Sequence, residues 1–532
     1  MTGTLVVRGG RLVDGTGSPA RDADIWLRDG RIRGVVDPAT AVPGDACVLD
    51  ASGLTVTPGF VDVHSHADNA PFLDEDDTSK LLQGVTCEVV GNCGFTLAPR
   101  APDHAEELES LAARIFPALP WSWTSFGDLL STLDARGYVV NYAPLVGHHA
   151  LRVAAMGMRS GPPDEAELQR MGDLLDEAIA AGGFGLSSGL IYPPGIFADT
   201  AELAALARRL PPGLPYVTHM RGEGSMLLRS IEEAVEIARS ARRPLHVSHL
   251  KSAGRDNWGR MSDALAFLDE GRAAGMDIRH DVYPYTAGST MLTAALPPWM
   301  NDGGADAVLG RLRSTEVRQQ LRAELARDHD SWENHIYGVG WEGIVIASSA
   351  SHEHDGRSLA EIAKRVDGDR VDVLADLLLA ERLRVSMIVH SMYEPDLILA
   401  MEHPSTMIGS DGLPPGVGGR PHPRTYGTFP RVLARYCRDL GVFPLEEAVR
   451  RMTSLPAVAF RLPSRGVIAP GMAADLVAFD AGTVRDLATY EDPVRAPQGV
   501  GWVMVDGDVV VRDGQYEGRR AGQRLRPAAV GS

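Results

Sequence analysis

Short runs of alternating or clustered β-branched residues, separated by glycine-rich turns, occupy both ends of the chain. Within residues 1–57 these runs are LVVRGGRLVDG, ADIWLRDGRIRGVV and CVLDASGLTVTPG. Residues 463–532 contain the similar runs GVIAPGMAADLVAFD and GVGWVMVDGDVVVRDGQY. Patterns of this kind between turn residues predict short strands. We expect the two ends to pair into one small β-sandwich.

The middle of the chain, residues 58–462, alternates strand-like apolar runs with helical patterns such as EAELQRMGDLLDEAIAAG. The strand-like runs cover residues 60–66, 85–94, 140–149, 183–192, 216–222, 244–251, 277–285 and 406–412. Eight strands alternating with helices predict an α/β protein with a (β/α)₈ TIM barrel. A doubly wound open sheet is the alternative, but no GxGxxG turn supports the dinucleotide site of that fold.

The stretch between the seventh and eighth runs, about residues 287–385, is too long for a single crossover. It contains the helix-like segments VLGRLRSTEVRQQLRAELARD and SLAEIAKRV. We predict an inserted subdomain after strand 7. Loops on that side of a barrel cover the active site, so we expect the insertion to build part of the substrate pocket.

Composition narrows the function classes. The 532 residues are 44% hydrophobic and 23% charged, as in globular enzymes. A net charge of -18 opposes nucleic-acid binding, which needs basic residues to neutralise phosphates. The opening MTGTLVVRGG shows no leader pattern, and no apolar run approaches the ~20 residues that span a bilayer. We therefore expect a cytoplasmic protein without nucleic-acid or membrane partners; the sequence does not predict its oligomeric state.

Candidate metal ligands lie at the ends of several predicted strands. His64 and His66 are two positions apart, so on a strand they point the same way. Alone, such a pair is a weak signal, and two polar residues in a turn are the alternative. The other candidates are Cys93 on strand 2, His219 on strand 5, His249 on strand 6 and Asp411 on strand 8. A barrel places its chemistry at these ends, and mixed imidazole, thiolate and carboxylate donors suit zinc.

Other histidines are weaker candidates. His246 lies three residues before His249 and should face away from it, and His148 and His149 are adjacent, which favours packing. His352 and His354 lie in the insertion, and their role stays open.

The strand-end residues resemble the amidohydrolase superfamily, and GGRLVDGTG, DGRI, GFVDVHSHAD and PGMAADLVAFD resemble its flanking β-sandwich. More narrowly, several motifs resemble the D-aminoacylases, the N-acyl-D-amino-acid deacylases. These motifs are GVTCEVVGNCGF, GLSSGLIYPPG, THMRGEG, VSHLK, DVYPYTAGST, MIGSDGLP and RPHPRTYGTFPR. They span nearly the whole barrel, whereas residues 287–385 carry none of them.

Many members of this superfamily bridge two metals with a carboxylated lysine on strand 4. The three lysines here are Lys80, Lys251 and Lys364, so strand 4 has none. The resemblance gives the bridging or ligating role to Cys93 instead. A catalytic nucleophile is the alternative for Cys93, but no His/Asn pairing motif accompanies it. A disulfide with Cys87 is disfavoured because the two would lie roughly 20 Å apart on an extended strand.

The resemblance also implies the chemistry. One tight zinc is held by Cys93, His219 and His249, and a second, weaker position uses His64, His66 and Asp411, with Cys93 as an optional shared ligand. Zinc-bound hydroxide then attacks the amide carbonyl. Asp411 acts as general base and then as general acid. A turn aspartate before glycine is the alternative for Asp411.

Four residues are predicted to bind the substrate. The resemblance assigns the substrate carboxylate to Lys251, Tyr283 and Arg424, since arginine and lysine donate readily to carboxylates. A solvated loop charge is the alternative for Arg424. Tyr192, at the end of strand 4, is a candidate donor to the developing oxyanion.

The resulting prediction is a zinc hydrolase that cleaves the linear amide of N-acyl-D-amino acids to a carboxylate and a free D-amino acid. The alternatives are deacylation of N-acyl-D-glutamate or N-acyl-D-aspartate, dipeptide cleavage and cyclic-amide opening. A second basic residue in the side-chain pocket would favour the acidic substrates. A non-catalytic relative would be expected to lack Asp411 or a ligand. The preference for D over L rests on the resemblance alone.

Overall fold

A computed structural model describes residues 4–529, and its centre is a barrel of parallel strands. Barrel strands 1 to 8 are Phe60–Asp62, Val85–Val90, Asn141–Pro144 continued by Val146–Gly147, Leu186–Gly189, Tyr216–His219, Leu245–Val247, Ile278–Val282 and Thr406–Ile408. Each strand pairs in parallel with the next in chain order. A parallel bridge between Ser65 and Gly412 closes the ring. The predicted (β/α)₈ barrel is confirmed.

The strands are shorter than the apolar runs that predict them. Cys93, His249 and Asp411 are not on strands, because the chain leaves the pleat before each of them. All three adopt positive φ angles, 53°, 37° and 49° respectively. The left-handed region is uncommon for residues other than glycine and marks sites where the fold holds the backbone in place. These turns aim the three side chains at the mouth of the barrel.

Helices surround the barrel and continue into the insertion and the C-terminal part. The helix Glu165–Ala181 shows how the sequence sets such boundaries: Asp164 and Glu167 form a reciprocal capping box at its start, and Gly182 follows its end. The α-helices are Ala105–Ala112, Phe126–Arg136, His148–Met156, Glu165–Ala181, Thr200–Arg209, Leu227–Ala241, Met261–Ala273, Gly304–Leu312, Thr315–Leu325, His335–Val339, Leu359–Val366, Arg370–Ala380, Glu394–Glu402, Arg424–Arg431, Leu445–Met452 and Ser454–Ala459, and Val432–Asp439 is a π-helix.

Two sheets at the chain ends form the sandwich. One sheet contains Leu5–Arg8, Asp24–Arg28, Arg31–Val36 and Cys47–Asp50. The other contains Arg11–Leu12, Arg21–Asp22, Thr55–Pro58, Leu476–Phe479, Val500–Val505, Asp508–Arg512 and Gln515–Tyr516. Antiparallel pairing of Thr55–Pro58 with Leu476–Phe479 joins the two chain ends, and Val7, Ile25 and Trp502 pack between the sheets. The predicted shared sandwich is confirmed.

The C-terminal tail departs from the predicted sandwich segment 463–532. Beyond Gln515–Tyr516, the chain leaves the sandwich and runs along the barrel. Arg524 forms a parallel bridge with Tyr142 on barrel strand 3, and its guanidinium pairs with Asp134. The tail therefore packs on the barrel, while Glu517 N–H and Gln523 Nε2 still donate to Val510 and Asp506 of the sandwich. Residues 1–3 and 530–532 of the predicted segments lie outside the described part of the chain.

The insertion after barrel strand 7 has its own small sheet. Val385–Val389 is the central strand, with Gly288–Met291 and Ile344–Ser349 antiparallel on either side. Five helices between residues 304 and 380 pack beside this sheet. The last strand extends four residues past the predicted end of the insertion at 385. Within residues 4–529, no helix combines the length and apolar composition needed to cross a bilayer.

Candidate metal centre and active site

The barrel mouth gathers the six predicted donors. His64 Nε2 lies 3.3 Å from Cys93 Sγ, which lies 3.5 Å from His249 Nε2. Asp411 Oδ1 lies 3.6 Å from the same His64 Nε2 and 3.3 Å from His66 Nε2. All these side chains are buried. Residues up to about 350 positions apart in sequence thus share one small volume, because parallel strands in a barrel end on one rim.

The donor geometry suits a metal ion. Within groups of three, the candidate ligand atoms of His64, Cys93 and His249, and those of His64, His66 and Asp411, lie within 4.8 Å of one another. Both nitrogens of the buried His219 ring have no hydrogen-bond partner among residues 4–529. Unpartnered buried nitrogens are costly unless a ligand satisfies them.

The grouping differs in one respect from the predicted tight set of Cys93, His219 and His249. His219 clusters with His249 and Glu223 in place of Cys93. His219 nevertheless faces the same centre, with its ring centroid 4.3 Å from that of His249.

Electrostatics favour the ionised form of two of the donors. Burial would raise the pKa of the Cys93 thiol, but His64, His249 and His219 outweigh it and hold the pKa well below its ordinary value. Burial would likewise raise the pKa of Asp411, but Arg424 and the neighbouring imidazoles hold it well below the ordinary value. A thiolate and a carboxylate are the states that ligate metals.

Asp281, on barrel strand 7, is a functional residue that the sequence analysis missed. Its Oδ2 accepts from His246 Nε2 at 2.6 Å and lies 3.3 Å from His64 Nδ1, while Oδ1 accepts the backbone N–H of His249 at 3.0 Å. His246 reaches the same Asp281 oxygen as His64 and supports the donors through this carboxylate, so its predicted orientation away from them is not confirmed. A carboxylate behind a ligating histidine fixes the tautomer and the ring orientation.

Glu223 is the second missed residue. Its Oε1 accepts from Lys251 Nζ at 2.6 Å and lies 3.0 Å from His249 Nδ1. Burial would raise the pKa of Glu223, but Lys251, His219 and His249 hold it below its ordinary value. The spacing of four residues from His219 in THMRGEG is a sequence signal that could have identified it. Lys251 therefore reaches the barrel mouth already paired with a carboxylate.

Arg424 is not a solvated loop charge: it begins the helix Arg424–Arg431 and is fully buried. Its Nη1 lies 2.9 Å from Asp411 Oδ2, and its Nη2 donates to the Ser289 carbonyl at 3.0 Å. Its guanidinium carbon lies 4.5 Å from the centre of the Tyr283 ring. The Tyr283 hydroxyl is buried and has no hydrogen-bond partner within residues 4–529. Arg424 and Tyr283 are thus positioned together beside Asp411.

Three of the four predicted substrate-binding residues line a small cavity, whereas Arg424 does not border it and instead contacts Asp411, which does. Tyr192, Lys251, Tyr283 and Asp411 bound this space of about 40 Å³. Tyr192 Oη accepts from Thr290 at 2.9 Å, which leaves its own proton free to donate. Ligand pockets for drug-sized molecules start at ~300 Å³, so binding of an N-acyl amino acid requires part of the wall to move outward.

The histidines of the insertion lie away from the donors. His352 contacts Asp355 at 2.8 Å and borders a separate cavity of about 450 Å³. Ser289 lines both this larger cavity and the smaller one. Neither His352 nor His354 belongs to a donor group among the described residues. His148 Nε2 donates to Glu202 Oε1 at 2.7 Å, and His149 Nε2 donates to the Gly189 carbonyl at 2.9 Å, consistent with the predicted packing roles.

A closed (β/α)₈ barrel with buried imidazole, thiol and carboxylate donors at its mouth defines the class of metal-dependent hydrolases built on this fold. Residues 47–511 match the amidohydrolase family, and the chain belongs to that family. It is 38% identical to D-aminoacylase of Alcaligenes xylosoxydans xylosoxydans over 527 residues, 99% of this chain and 98% of that protein.

Two solved structures extend the comparison. A D-aminoacylase described as having a binuclear metal centre, activated by one metal and attenuated by the second, matches with a TM-score of 0.81 at 36% identity. N-acyl-D-glutamate deacylase from Bordetella bronchiseptica, complexed with zinc and a phosphonate mimic of the tetrahedral intermediate, matches with a TM-score of 0.82 at 36% identity. Each match covers 98% of this chain and 99% of the other.

Proposed function

We propose that this protein is a zinc-dependent, cytoplasmic hydrolase that cleaves N-acyl-D-amino acids to a carboxylate and a free D-amino acid. The observation that carries the proposal is a buried donor cluster beside two cations: Lys251 borders the same cavity as Asp411, and Arg424 pairs with Asp411. The first feature suits amide hydrolysis, and the second suits a substrate that bears a carboxylate. The similarity to D-aminoacylase supports the D configuration.

The metal would be held by His64, His66, Cys93, His219, His249 and Asp411, with one tight and one weaker position. When bound, it supplies a Lewis acid that lowers the pKa of water and polarises the scissile carbonyl. Cys93 contributes a negative donor where lysine is absent from strand 4.

The residues of the chain handle the protons and the orientation. Asp411 is held as a carboxylate, so its Oδ1 can accept a proton from the attacking water. The same carboxyl then returns the proton to the departing nitrogen, since an amide leaving group is a poor anion. Lys251 and Arg424 would bind the substrate carboxylate, with Tyr283 as a neutral donor beside them. Tyr192 Oη would donate to the developing oxyanion.

The test is amine release by zinc-loaded protein from paired D and L N-acetyl derivatives of leucine, methionine, phenylalanine, glutamate and aspartate. We expect release from the D series only, and loss of release in Asp411→Ala. Glu342→Gln, an exposed change in the insertion, is the matched control. Release from the L series alone, or unchanged release in Asp411→Ala, would contradict the proposal.

Deacylation restricted to N-acyl-D-glutamate or N-acyl-D-aspartate is the second candidate. Its support is the near-equal similarity to the N-acyl-D-glutamate deacylase structure. The acidic members of the substrate panel separate the two candidates. If zinc binds but no member is cleaved, dipeptides and cyclic amides are the next substrates.

A further inference from the structure

The insertion supplies part of the wall of the small substrate cavity. Glu333 and His335 border the same space as Lys251, Tyr283 and Asp411. Their side chains are each 10% exposed, and they lie at or just before the short helix His335–Val339. Both belong to the segment that carries none of the sequence motifs of the family resemblance. What they recognise is therefore a property of this chain's insertion.

Glu333 is fixed against the loop that follows barrel strand 5. Its Oε2 accepts the backbone N–H of Glu223 at 2.6 Å. Its Oε1 lies 3.6 Å from His335 Nδ1. Glu223 is the carboxylate on which Lys251 and His249 converge, so Glu333 joins the insertion directly to the surroundings of the donor cluster. The contact holds a carboxylate at the cavity wall.

His335 offers a free polar atom at the same wall. Its Nε2 is buried and has no hydrogen-bond partner among residues 4–529. A buried polar atom of this kind calls for an explanation, and a ligand group is one. A neutral polar side chain, such as a carboxamide, can satisfy this nitrogen.

The charged side chains around the cavity disfavour a substrate that carries a second carboxylate. Lys251 is the one lysine or arginine among the described residues that border it, and its Nζ already contacts Glu223 at 2.6 Å. Arg424 is paired with Asp411 at 2.9 Å. In the function proposed above, both cations bind the α-carboxylate of the substrate. An acidic side chain would then meet Glu333 without a free cation to offset the repulsion.

We propose that Glu333 and His335 form the side-chain wall of the substrate pocket and select N-acyl-D-amino acids with non-acidic side chains. Glu333 excludes a second carboxylate, and His335 Nε2 receives a neutral polar group. The inference rests on the deacylase function proposed above. It assigns substrate choice within the family to the insertion.

The test compares N-acetyl-D-glutamine with N-acetyl-D-glutamate, which have nearly the same shape and differ in charge. We expect wild-type kcat/KM to favour the glutamine substrate by about 100-fold. Glu333→Gln keeps an acceptor for the Glu223 N–H and should lower that ratio at least about tenfold, chiefly by improving the glutamate substrate. His335→Ala should lower kcat/KM for the glutamine substrate about tenfold more than for N-acetyl-D-leucine. Glu342→Gln should leave all three values unchanged.

Different failures have different meanings. If the zinc-loaded enzyme cleaves no N-acyl-D-amino acid, the proposed function falls and this inference falls with it. If it cleaves them but Glu333→Gln leaves the ratio unchanged, only the inference is overturned. A wild-type preference for the glutamate substrate that Arg114→Gln removes would also overturn it. That result would assign acid recognition to the larger cavity, which the buried Arg114 borders.

Discussion

Asp281→Asn tests whether the carboxylate behind His64 governs metal binding. In the wild type, Asp281 Oδ2 accepts a hydrogen bond from His246 Nε2 at 2.6 Å and lies 3.3 Å from His64 Nδ1. A proton on Nδ1 leaves His64 Nε2 free to ligate, and that atom faces Cys93 at 3.3 Å. In the variant, the Oδ1 contact with the His249 N–H can persist, but an amide NH₂ replaces Oδ2. The N–H groups of His246 and His64 would then both point at the amide NH₂, which cannot accept a hydrogen bond. If His64 avoids this by moving its proton to Nε2, that nitrogen can no longer ligate a metal.

The magnitudes follow from these contacts. A hydrogen bond to a charged group contributes about 1.5–3 kcal/mol. Since the His64 contact is long, we expect the two altered contacts to lower the free energy of unfolding of the metal-free protein by roughly 2–4 kcal/mol. Loss of a carboxylate that orients a ligating histidine typically weakens metal binding 10- to 100-fold, which is about 1.4–2.8 kcal/mol.

Denaturant unfolding of the metal-free protein and competition for zinc against a chelator measure the two effects separately. Asp277→Asn, on the loop immediately before the same strand and with a side chain 52% exposed, should change neither. If Asp281→Asn binds zinc within twofold of the wild type, Asp281 does not orient His64, whatever its effect on stability.

Three further predictions concern the site and the core. Cys93→Ser should lower zinc affinity at least about 100-fold because it removes a thiolate donor. The control Cys437→Ser should retain zinc, and metal analysis after dialysis distinguishes the two variants. Full zinc retention by Cys93→Ser would contradict the ligand role. Arg424→Lys should reduce kcat/KM about 10- to 100-fold, mainly by raising KM, because one ammonium cannot contact both Asp411 and a substrate carboxylate as a guanidinium does. Arg435→Lys is the control. An unchanged KM in Arg424→Lys would argue against carboxylate binding by Arg424. Burial would raise the pKa of Glu202, but His148 and Arg152 lower it below its ordinary value, so its stabilisation is present above about pH 4.5 and is lost as pH falls through the lower folded-state pKa. Glu202→Gln should therefore lose less stability than the wild type between pH 7 and pH 3, as measured by thermal unfolding. An unchanged pH dependence would show that Glu202 does not contribute to this loss.

The barrel and its donors were predictable because both leave periodic traces in the sequence. A buried strand ending in a polar residue, repeated eight times, places those residues on one rim whatever the loops do. His64, His219 and Asp411 could be found in this way. The turns that aim Cys93, His249 and Asp411 could not, since their positive φ angles depend on the packing around each strand end.

The hydrogen-bond and ion-pair partners of the site residues could not be predicted from the sequence. Asp281 contacts His64 from 217 positions away, and the contact exists only because strands 1, 6 and 7 close into one ring. Arg424 has the same character: its burial against Asp411 depends on a helix packing over the loop after strand 8. The wall formed by Glu333 and His335 lies in a segment without any recognisable motif. The local sequence pattern indicates which chemistry a side chain can perform, whereas the tertiary structure determines which residues it contacts.

Lys251, which borders the substrate cavity, and Arg424, which lies beside Asp411, are each paired with a carboxylate, and this arrangement has a kinetic consequence. An unpaired buried ammonium or guanidinium costs several kcal/mol, so Glu223 and Asp411 allow Lys251 and Arg424 to be buried before substrate arrives. The flexible side chains are then ordered during folding, which lowers the entropic cost of binding. Asp411, however, is also the proposed proton acceptor, and it lies 2.9 Å from Arg424. Removing its charge leaves Arg424 without its partner as well as removing the base. Substitutions at Asp411 should therefore change KM together with kcat, unlike the loss of a base that has no part in holding the binding site.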